Sequence, residues 1–492
     1  MNSVPANRIR PLNSNPVRRD GGFVLYWMVA SRRTRSNFAL QRAVELARET
    51  CRPLVVLEAL RCDYPWASDR FHAFVLDGMA DNEERFRRVG IPYLAYVEPR
   101  VGAGKGLLAA LAKDACAVVT DDYPAFMLPQ VVAAGARQVR VRMEAVDSNG
   151  LMPMSLADRV FPTAYAFRRF LQKELRDELL VFPKSNPLAR LDLPTLERLP
   201  EKLADRWPTA TSSELRDPRA LLQTLPVDHA VGSTANRGGS AAAGRRLRGF
   251  LDRLDRYAED RNLLDEPITS GLSPYIHFGH VSAHEVCRAV LKREHWTPDR
   301  LSDTASGSRQ GWWGVGASAE AFLDQLVTWR ELGFNMCRLR SDHDRYASLP
   351  DWARQTLQDH AGDRRDHVYS LEQFESADTH DDVWNAAQRQ LRRDGTIHNY
   401  LRMLWGKKIL DWSESPQTAL DIMIELNNRY ALDGRDPNSY SGIFWTLGRY
   451  DRPWGPERPV FGKVRYMSSK NTRRKLNVTR YLERYGSDRC IG

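Results

Sequence analysis

Residues 21–30 read GGFVLYWMVA, two glycines followed by eight residues without a charge. Such a run is too short for a bilayer and begins at turn formers. It is what a strand buried on both faces requires. Working outward, a helical pattern covers 37–49 and a second strand 53–60. A helical stretch at 69–88 precedes a strand at 92–98, and a helix at 104–113 precedes a strand at 115–121. A helix at 124–136 and a fifth strand at 138–147 complete the series. Val/Ile/Leu-rich strands alternating with helices predict an α/β domain on a five-stranded parallel sheet with both faces covered. Residues 1–20 are polar and rich in Pro, Asn and Arg, and read as a flexible tail. The α/β domain is therefore expected over 21–200.

Beyond it the pattern changes. Residues 150–200 are mixed, with a helix at 164–180. The segment 201–244 is broken by Pro, Ser, Thr and Gly, including GGSAAAG at 238–244, and reads as an interdomain linker. From there the apolar spacing is helical. Candidates lie at 245–259, 281–293, 317–338, 350–359, 381–394, 396–412 and 416–430, so an all-α domain is expected over 245–492.

Composition narrows the class. The chain has 492 residues, 42% hydrophobic and 27% charged, which excludes a disordered or collagen-like chain. The six cysteines (51, 62, 116, 287, 337 and 490) form no CxxC spacing, which argues against structural zinc, an iron–sulfur cluster and a disulfide framework. Apolar runs fall short of the ~20 residues that span a bilayer. No basic start leads into an apolar leader segment. A cytoplasmic protein with no metal and no membrane partner is expected. The net charge of +10 is concentrated late in the chain: residues 449–489 hold twelve Lys/Arg against four acids. Trp454, Phe461, Tyr466, Tyr481 and Tyr485 are interleaved with them. Basic groups release counterions from a phosphate-rich partner and rings stack on bases; a solvated basic surface is the alternative.

Three stretches carry chemistry. TSGLSPYIHFG at 269–279 sets hydroxyls ahead of a Pro that can open a helix, suited to a phosphate, or to an ordinary N-cap. FLDQLVTWRE at 322–331 is an amphipathic segment in which a Trp stands beside Arg-Glu. TIHNYLRMLWGKKILDW at 396–412 reads as an amphipathic helix. Trp405 and Trp412 share one of its faces, about 10 Å apart along the axis, and Trp384 lies one helix earlier. Such a stripe at helical spacing ordinarily serves a core.

The set of segments resembles the class II branch of the photolyase/cryptochrome family. The matching text is VLYWMVASRRTRSNFAL (24–40), RYAEDRN (256–262), TSGLSPYIHFG (269–279), VWNAAQ (383–388), IHNYLRMLWGKKILDW (397–412), ELNNRYALDGRDPNSY (425–440) and ERPVFGKVRYMS (457–468). The resemblance spans nearly the whole chain, in order. It implies photolyase/cryptochrome architecture, FAD bound in the helical domain, and damaged DNA as partner. Reduced flavin, excited by light, would pass one electron to a flipped-out cyclobutane pyrimidine dimer and recover it after ring opening. A deazaflavin or folate antenna is possible in such a family, and a monomer is its usual state.

The resemblance assigns roles by position. Thr269, Ser270, Leu272 and Ser273 match its phosphate-binding loop, and Tyr257, Arg261 and Asn262 match residues near cofactor and lesion. Asn427 matches the position facing flavin N5. Arg402 and Asp433 match a pair beside the isoalloxazine, and Arg330 is a further cofactor contact. Trp384, Trp405 and Trp412 match the electron-transfer tryptophans. Trp329 and Trp445 match the aromatic walls of the lesion pocket, with Met403 packing there. Arg465 matches a residue that enters the gap left by flipped bases, and Lys463 and the 470–475 cluster would grip phosphate.

The chain departs from that pattern at Gln325, which stands where the family carries a lesion-contacting Glu. A carboxamide donates a hydrogen bond but delivers no proton. Asp324 points about 100° away on an α-helix and is a poor substitute. Asn399 stands in place of Gly, Leu404 in place of Tyr, and Tyr450-Asp451 in place of His-Asp. A light-driven dimer-repair enzyme is the leading expectation. A cryptochrome-like photoreceptor, or a homologue with lost or altered repair, is the alternative.

Overall fold

The computed structural model describes residues 3–196 and 201–487; Arg489 and Cys490 lie outside the described residues. The chain forms two compact units that interleave in sequence. One comprises Met1–Leu156, Glu174–Gly249 and Gly271–Pro298, the other Ala157–Lys173, Phe250–Ser270 and Asp299–Gly492. The boundaries read from composition therefore give way to exchanged segments. Among the described residues no helix is long and apolar enough to cross a membrane.

The first unit is built on a sheet with strand order β1-β6-β5-β2-β3-β4. The five parallel strands are β2 (Phe23–Met28), β3 (Leu54–Leu60), β4 (Tyr93–Val97), β5 (Ala115–Asp121) and β6 (Arg142–Val146). Every residue of β2 and β5 is buried, which is why these strands read as unbroken apolar runs rather than alternating ones. Helices such as Phe38–Thr50, capped by Asn37 on the Leu40 N–H, cover the faces.

A sixth strand was hidden in the supposed tail. β1 (Ile9–Pro11) pairs antiparallel with β6, Ile9 opposite Val146. Beside it Arg8 is buried and donates to the carbonyls of Gly150 (3.1 Å) and Leu151 (2.5 Å). Composition could not reveal this edge strand, because it is held by backbone pairing, one buried arginine and the single apolar side chain of Ile9 against the core.

The supposed linker is likewise part of the first unit. Helices Ser212–Arg216 and Arg219–Gln223 lie in it, the first opened by a capping box of Thr211 and Glu214. Leu215, Leu222 and Leu225 join a core cluster with Val75, Leu76 and Met79. Helix Gly239–Leu251 starts inside the Gly/Ser/Ala stretch. There a Cβ on Gly238 would stand 1.9 Å from the carbonyl oxygen of Phe74. The small residues serve close approach, not slack.

The carboxyl end of β5 anchors the loop after β2. Asp121 accepts from the Tyr26 hydroxyl (2.8 Å) and from the N–H groups of Val29 (2.9 Å), Ala30 (2.8 Å) and Ser31 (3.0 Å). Burial together with the nearby Asp121 pushes the Tyr26 phenol well up.

The second unit is helical. Asp382–Asp394, Asn399–Trp412, Pro416–Tyr430 and Pro437–Thr446 form its centre. Two of these open on Pro at the first helical position, where no N–H is needed. Asp381 caps the Trp384 N–H, and Gly395 closes that helix with φ +66°. Two expectations are corrected. The helix expected at 317–338 is interrupted by a π-helical segment, Asp324–Trp329, between Ala317–Leu323 and Arg330–Leu339. Helix Asn399–Trp412 is not amphipathic: every residue from Leu404 to Leu410 is buried, both lysines included. Lys407 is satisfied by the Thr446 carbonyl and Lys408 by Asp411, so charges that read as a solvated face are internal.

Replacing Asp121 by Ala leaves a buried phenol and three backbone donors without their acceptor. The expected cost is about 3–5 kcal/mol, read as a lower melting transition of the first unit by calorimetry.

Candidate functional site

Three tryptophans stand in contact inside the second unit. The rings of Trp384 and Trp405 are parallel (3°) with centroids 6.5 Å apart, and Trp384 meets Trp412 at 6.1 Å and 68°. Trp384 is thus the middle member. The indole N–H of Trp384 donates to the Trp405 carbonyl (3.0 Å), and that of Trp405 to Gln388 Oε1 (2.9 Å). Trp412 is flanked by His380 (4.8 Å) and Tyr369 (5.8 Å), and the Tyr369 hydroxyl and His380 Nδ1 are 2.7 Å apart. The spacing of 405 and 412 was legible; the interposition of 384 needed the packing of two helices.

On the same helix Arg402 pairs with Asp433 at 3.0 Å. The loop carrying Asp433 folds back onto helix Pro416–Tyr430. A Cβ on Gly434 would lie 2.7 Å from the Asn427 carbonyl oxygen, so the backbone itself makes the contact. Asn427 is buried, and its amide nitrogen donates to Ser439 Oγ (2.7 Å) and Asn428 Oδ1 (3.2 Å). Both amide hydrogens are used within the chain, which leaves the side-chain oxygen as the group it can offer a ligand. His398, at the start of the helix, meets the Arg261 carbonyl through Nε2 (3.0 Å), while its buried Nδ1 has no hydrogen-bond partner. Burial pulls the His398 imidazole down, which keeps it neutral.

The segment 257–262 bridges this helix and the one leading to Gln325. Tyr257 packs edge-on against Phe250 (5.7 Å) and Phe322 (5.4 Å), and Arg261 lies 5.6 Å over its ring. Burial pushes the Tyr257 phenol up, with Arg261 opposing. Asn262 is exposed. Gln325 and Trp329 are half-buried on the π-helical segment. Arg330 is buried, its guanidinium 4.3 Å over Phe334. Asp324 is committed elsewhere: it binds Arg168 through both oxygens (2.7 and 3.1 Å). Arg168 also donates to the Gly307 carbonyl (3.2 Å). Sequence reasoning missed Arg168, which lies 156 residues away from its partner.

Helix Arg330–Leu339, which follows Trp329, packs on Pro437–Thr446, which carries Trp445; a Cβ on Gly333 would stand 2.6 Å from the Pro437 carbonyl oxygen. Met403 faces that helix too, its Cε 3.8 Å from where Gly442 would carry a Cβ. Arg465 lies over Trp445 (5.2 Å) and Trp454 (4.1 Å) and pairs with Asp451 (3.0 and 3.2 Å). Lys463 is exposed and pairs with Glu457 at 3.2 Å. Three of the five interleaved aromatics, Phe461, Tyr481 and Tyr485, are buried, while Trp454 and Tyr466 are half-buried with arginines over their rings. Tyr481 and Tyr485 instead dock on Gln390 and Asp394 (both 2.7 Å). The 269–273 loop is divided: Thr269 and Ser270 belong to the second unit, Leu272 and Ser273 to the first. Ser273 begins the short helix Ser273–His277, which no side chain caps.

The chain is 34% identical to the deoxyribodipyrimidine photo-lyase of Methanothermobacter thermautotrophicus, over 98% of this chain and 98% of that protein. It is 33% identical to the protein of the same name from Arabidopsis thaliana (98% and 92% covered) and 32% to that of Potorous tridactylus (93% and 80%). A solved bacterial class III photolyase from Agrobacterium tumefaciens shares the fold, with a TM-score of 0.67 at 18% identity over 94% of this chain and 86% of that one. No family model matches.

Asp324→Ala leaves the buried Arg168 guanidinium without its counter-charge. A loss of about 3–5 kcal/mol is expected, measured by denaturant unfolding, with Asp324→Asn less costly.

Proposed function

We propose, given that the chain belongs to the deoxyribodipyrimidine photo-lyase family, that this enzyme repairs cyclobutane pyrimidine dimers in DNA under light, as a member of the class II branch. The observation that carries this reading is the buried Trp405–Trp384–Trp412 stack, in which Trp384 of helix Asp382–Asp394 stands between two rings of the helix that also holds Arg402.

The residues fit FAD. A guanidinium fixed by Asp433 suits an electron-rich isoalloxazine. The side-chain oxygen of Asn427 and the partnerless Nδ1 of His398 are polar atoms that a ligand can satisfy. Asn427, Arg402, Asp433, Tyr257 and Arg330, with the hydroxyls of Thr269 and Ser270, would hold the cofactor. When bound, FAD would supply under light the single electron that opens the cyclobutane ring and would take it back afterwards, so repair involves no net oxidation.

The chain's own residues do the rest. Trp405, Trp384 and Trp412 offer contiguous π-systems along which an electron can move inward one ring at a time. Trp329 and Trp445 replace the stacking a flipped dimer loses in the duplex. Arg465, Lys463, Arg261 and Asn262 meet backbone and neighbouring bases, and the exposed Lys470, Arg474, Lys475 and Arg480 hold phosphate. Gln325 donates an amide hydrogen bond to a lesion carbonyl. One observation favours the second reading, a homologue with lost or retuned repair: Asp324 is tied to Arg168, so no carboxyl stands in for the missing Glu.

The deciding experiment illuminates photoreduced protein with dimer-containing oligothymidylate. Recovery of base absorbance is expected; intact photoreduction without recovery establishes the second reading, and Gln325→Glu then tests whether one residue is responsible. Trp405→Phe is expected to lose light-driven flavin reduction while chemically reduced protein still repairs; surviving photoreduction rejects the wire.

A further inference from the structure

Lys407 is a buried charge that none of the roles above uses. It is fully buried on the helix that carries Arg402, Met403 and Trp405. Its Nζ donates to the Thr446 carbonyl at 2.6 Å and lies 5.0 Å from the centre of the Trp445 ring. Thr446 ends helix Pro437–Thr446. The last carbonyls of a helix lack intrahelical donors and sit at its negative pole. An ammonium there answers both needs, and it does so one residue from Trp445.

We propose that Lys407 is a positioning residue of the lesion pocket: it ties the final turn of helix Pro437–Thr446 to helix Asn399–Trp412 and holds a cation against the indole of Trp445, so that this wall keeps one orientation. The inference rests on the reading of Trp445 as a lesion-contacting wall. Trp445 is half-buried at a helix end, where fraying would otherwise let it turn. An apolar side chain of equal length would fill the space but leave the carbonyl without a donor.

The charged groups that act on Lys407 are Asp451 and Arg465. Burial draws its amine down to about 7, with Asp451 opposing and Arg465 adding to the fall. Helix Pro437–Thr446 presents Trp445 and Thr446 to it, and helix Pro416–Tyr430 has Met423 beside the adjoining Gly406. The neighbouring Lys408 is turned to Asp411 (2.9 Å) and Trp412. Loss of the proton removes the cation and weakens the cap from a charge-assisted bond to a neutral one.

The test measures the preference of the flavin-loaded protein for oligothymidylate with a dimer over the same strand without one, from about pH 6 to about pH 8. Flavin content and thermal melting report folding. Wild-type preference is expected to fall as pH rises through that range. Lys407→Met is expected to lower it about tenfold and to flatten the profile. In a Trp445→Phe background Lys407→Met is expected to add nothing, because the two residues act as one unit. Wild-type preference and profile in Lys407→Met, or additive losses in the double variant, overturn the proposal. Hydrogen exchange over 443–449 decides the same point without DNA. Several-fold faster exchange is expected in Lys407→Met, and unchanged exchange overturns the proposal. If wild type shows no preference for the dimer, the reading of Trp445 as a wall fails, and exchange alone decides what Lys407 holds. If Lys407→Met does not fold, wild-type exchange corrected for intrinsic rate is compared at the two ends of the pH range. A faster rate at high pH supports the proposal and equal rates overturn it.

Discussion

Gly406 sets the geometry of the helical unit. A Cβ at that position would stand 2.6 Å from Cγ2 of Thr446 and 3.1 Å from Sδ of Met423. Only a residue without one lets helix Asn399–Trp412 lie this close to Pro416–Tyr430 and Pro437–Thr446. Once it does, no side of the central turns is left for water. Each residue turns about 100° from the last, so neighbours in sequence serve different neighbours in space. Arg402 goes to Asp433, Trp405 to Gln388 and Trp384, Lys407 to Thr446 and Lys408 to Asp411. One helix thereby registers the charge pair, the tryptophan stack and Trp445 against each other.

Charge is handled by a repeated device. Arg168–Asp324, Arg402–Asp433 and Arg465–Asp451 are arginine–aspartate pairs within the second unit. Such pairs add little net stability, since desolvation offsets the attraction, but they fix direction. Arg168 is the most deeply buried of the three arginines, with 6% of its side chain exposed, and its role is structural. Arg465 keeps 38%, the exposure that its proposed contact with a phosphate backbone requires. Further positive charge lies on the short helices Ser469–Lys475 and Thr479–Tyr485; Arg473 of the first pairs with Asp382, and the buried Tyr481 and Tyr485 of the second anchor it to helix Asp382–Asp394.

What could be read from sequence followed from periodicity and local chemistry. Strand β5 falls at 115–121 as expected, and the change from alternating strands and helices to helices alone shows in the pattern, although the two units exchange segments that it does not mark. What could not be read depended on distant partners. Ile9–Pro11 is a strand only because β6 offers its edge. The small residues near 238 looked like slack because nothing in the sequence shows the Phe74 carbonyl against them. Lys407 and Lys408 looked solvated because their acceptors are a backbone oxygen on another helix and an aspartate one turn on. The aromatics near the end of the chain illustrate the same limit: Tyr481 and Tyr485 share a composition with Trp454, yet helix Asp382–Asp394 claims them.

Gln325 brings these constraints to bear on the proposed chemistry. A carboxyl one position earlier is already bound at both oxygens, and releasing it would strand Arg168 in a buried site. The π-helical segment fixes Gln325 on a turn that Asp324 cannot share without unwinding that pair. What the pocket keeps at this point is a hydrogen-bond donor, and what it lacks is an acid. A donor lowers the energy of charge developing on a carbonyl oxygen in a site that excludes water. An acid could in addition pass a proton to that oxygen and slow the electron's return. Under the proposed function the substitution bears on the lifetime of the charged lesion more than on its binding, and a pocket that grips a dimer with intact indoles would still open it less efficiently.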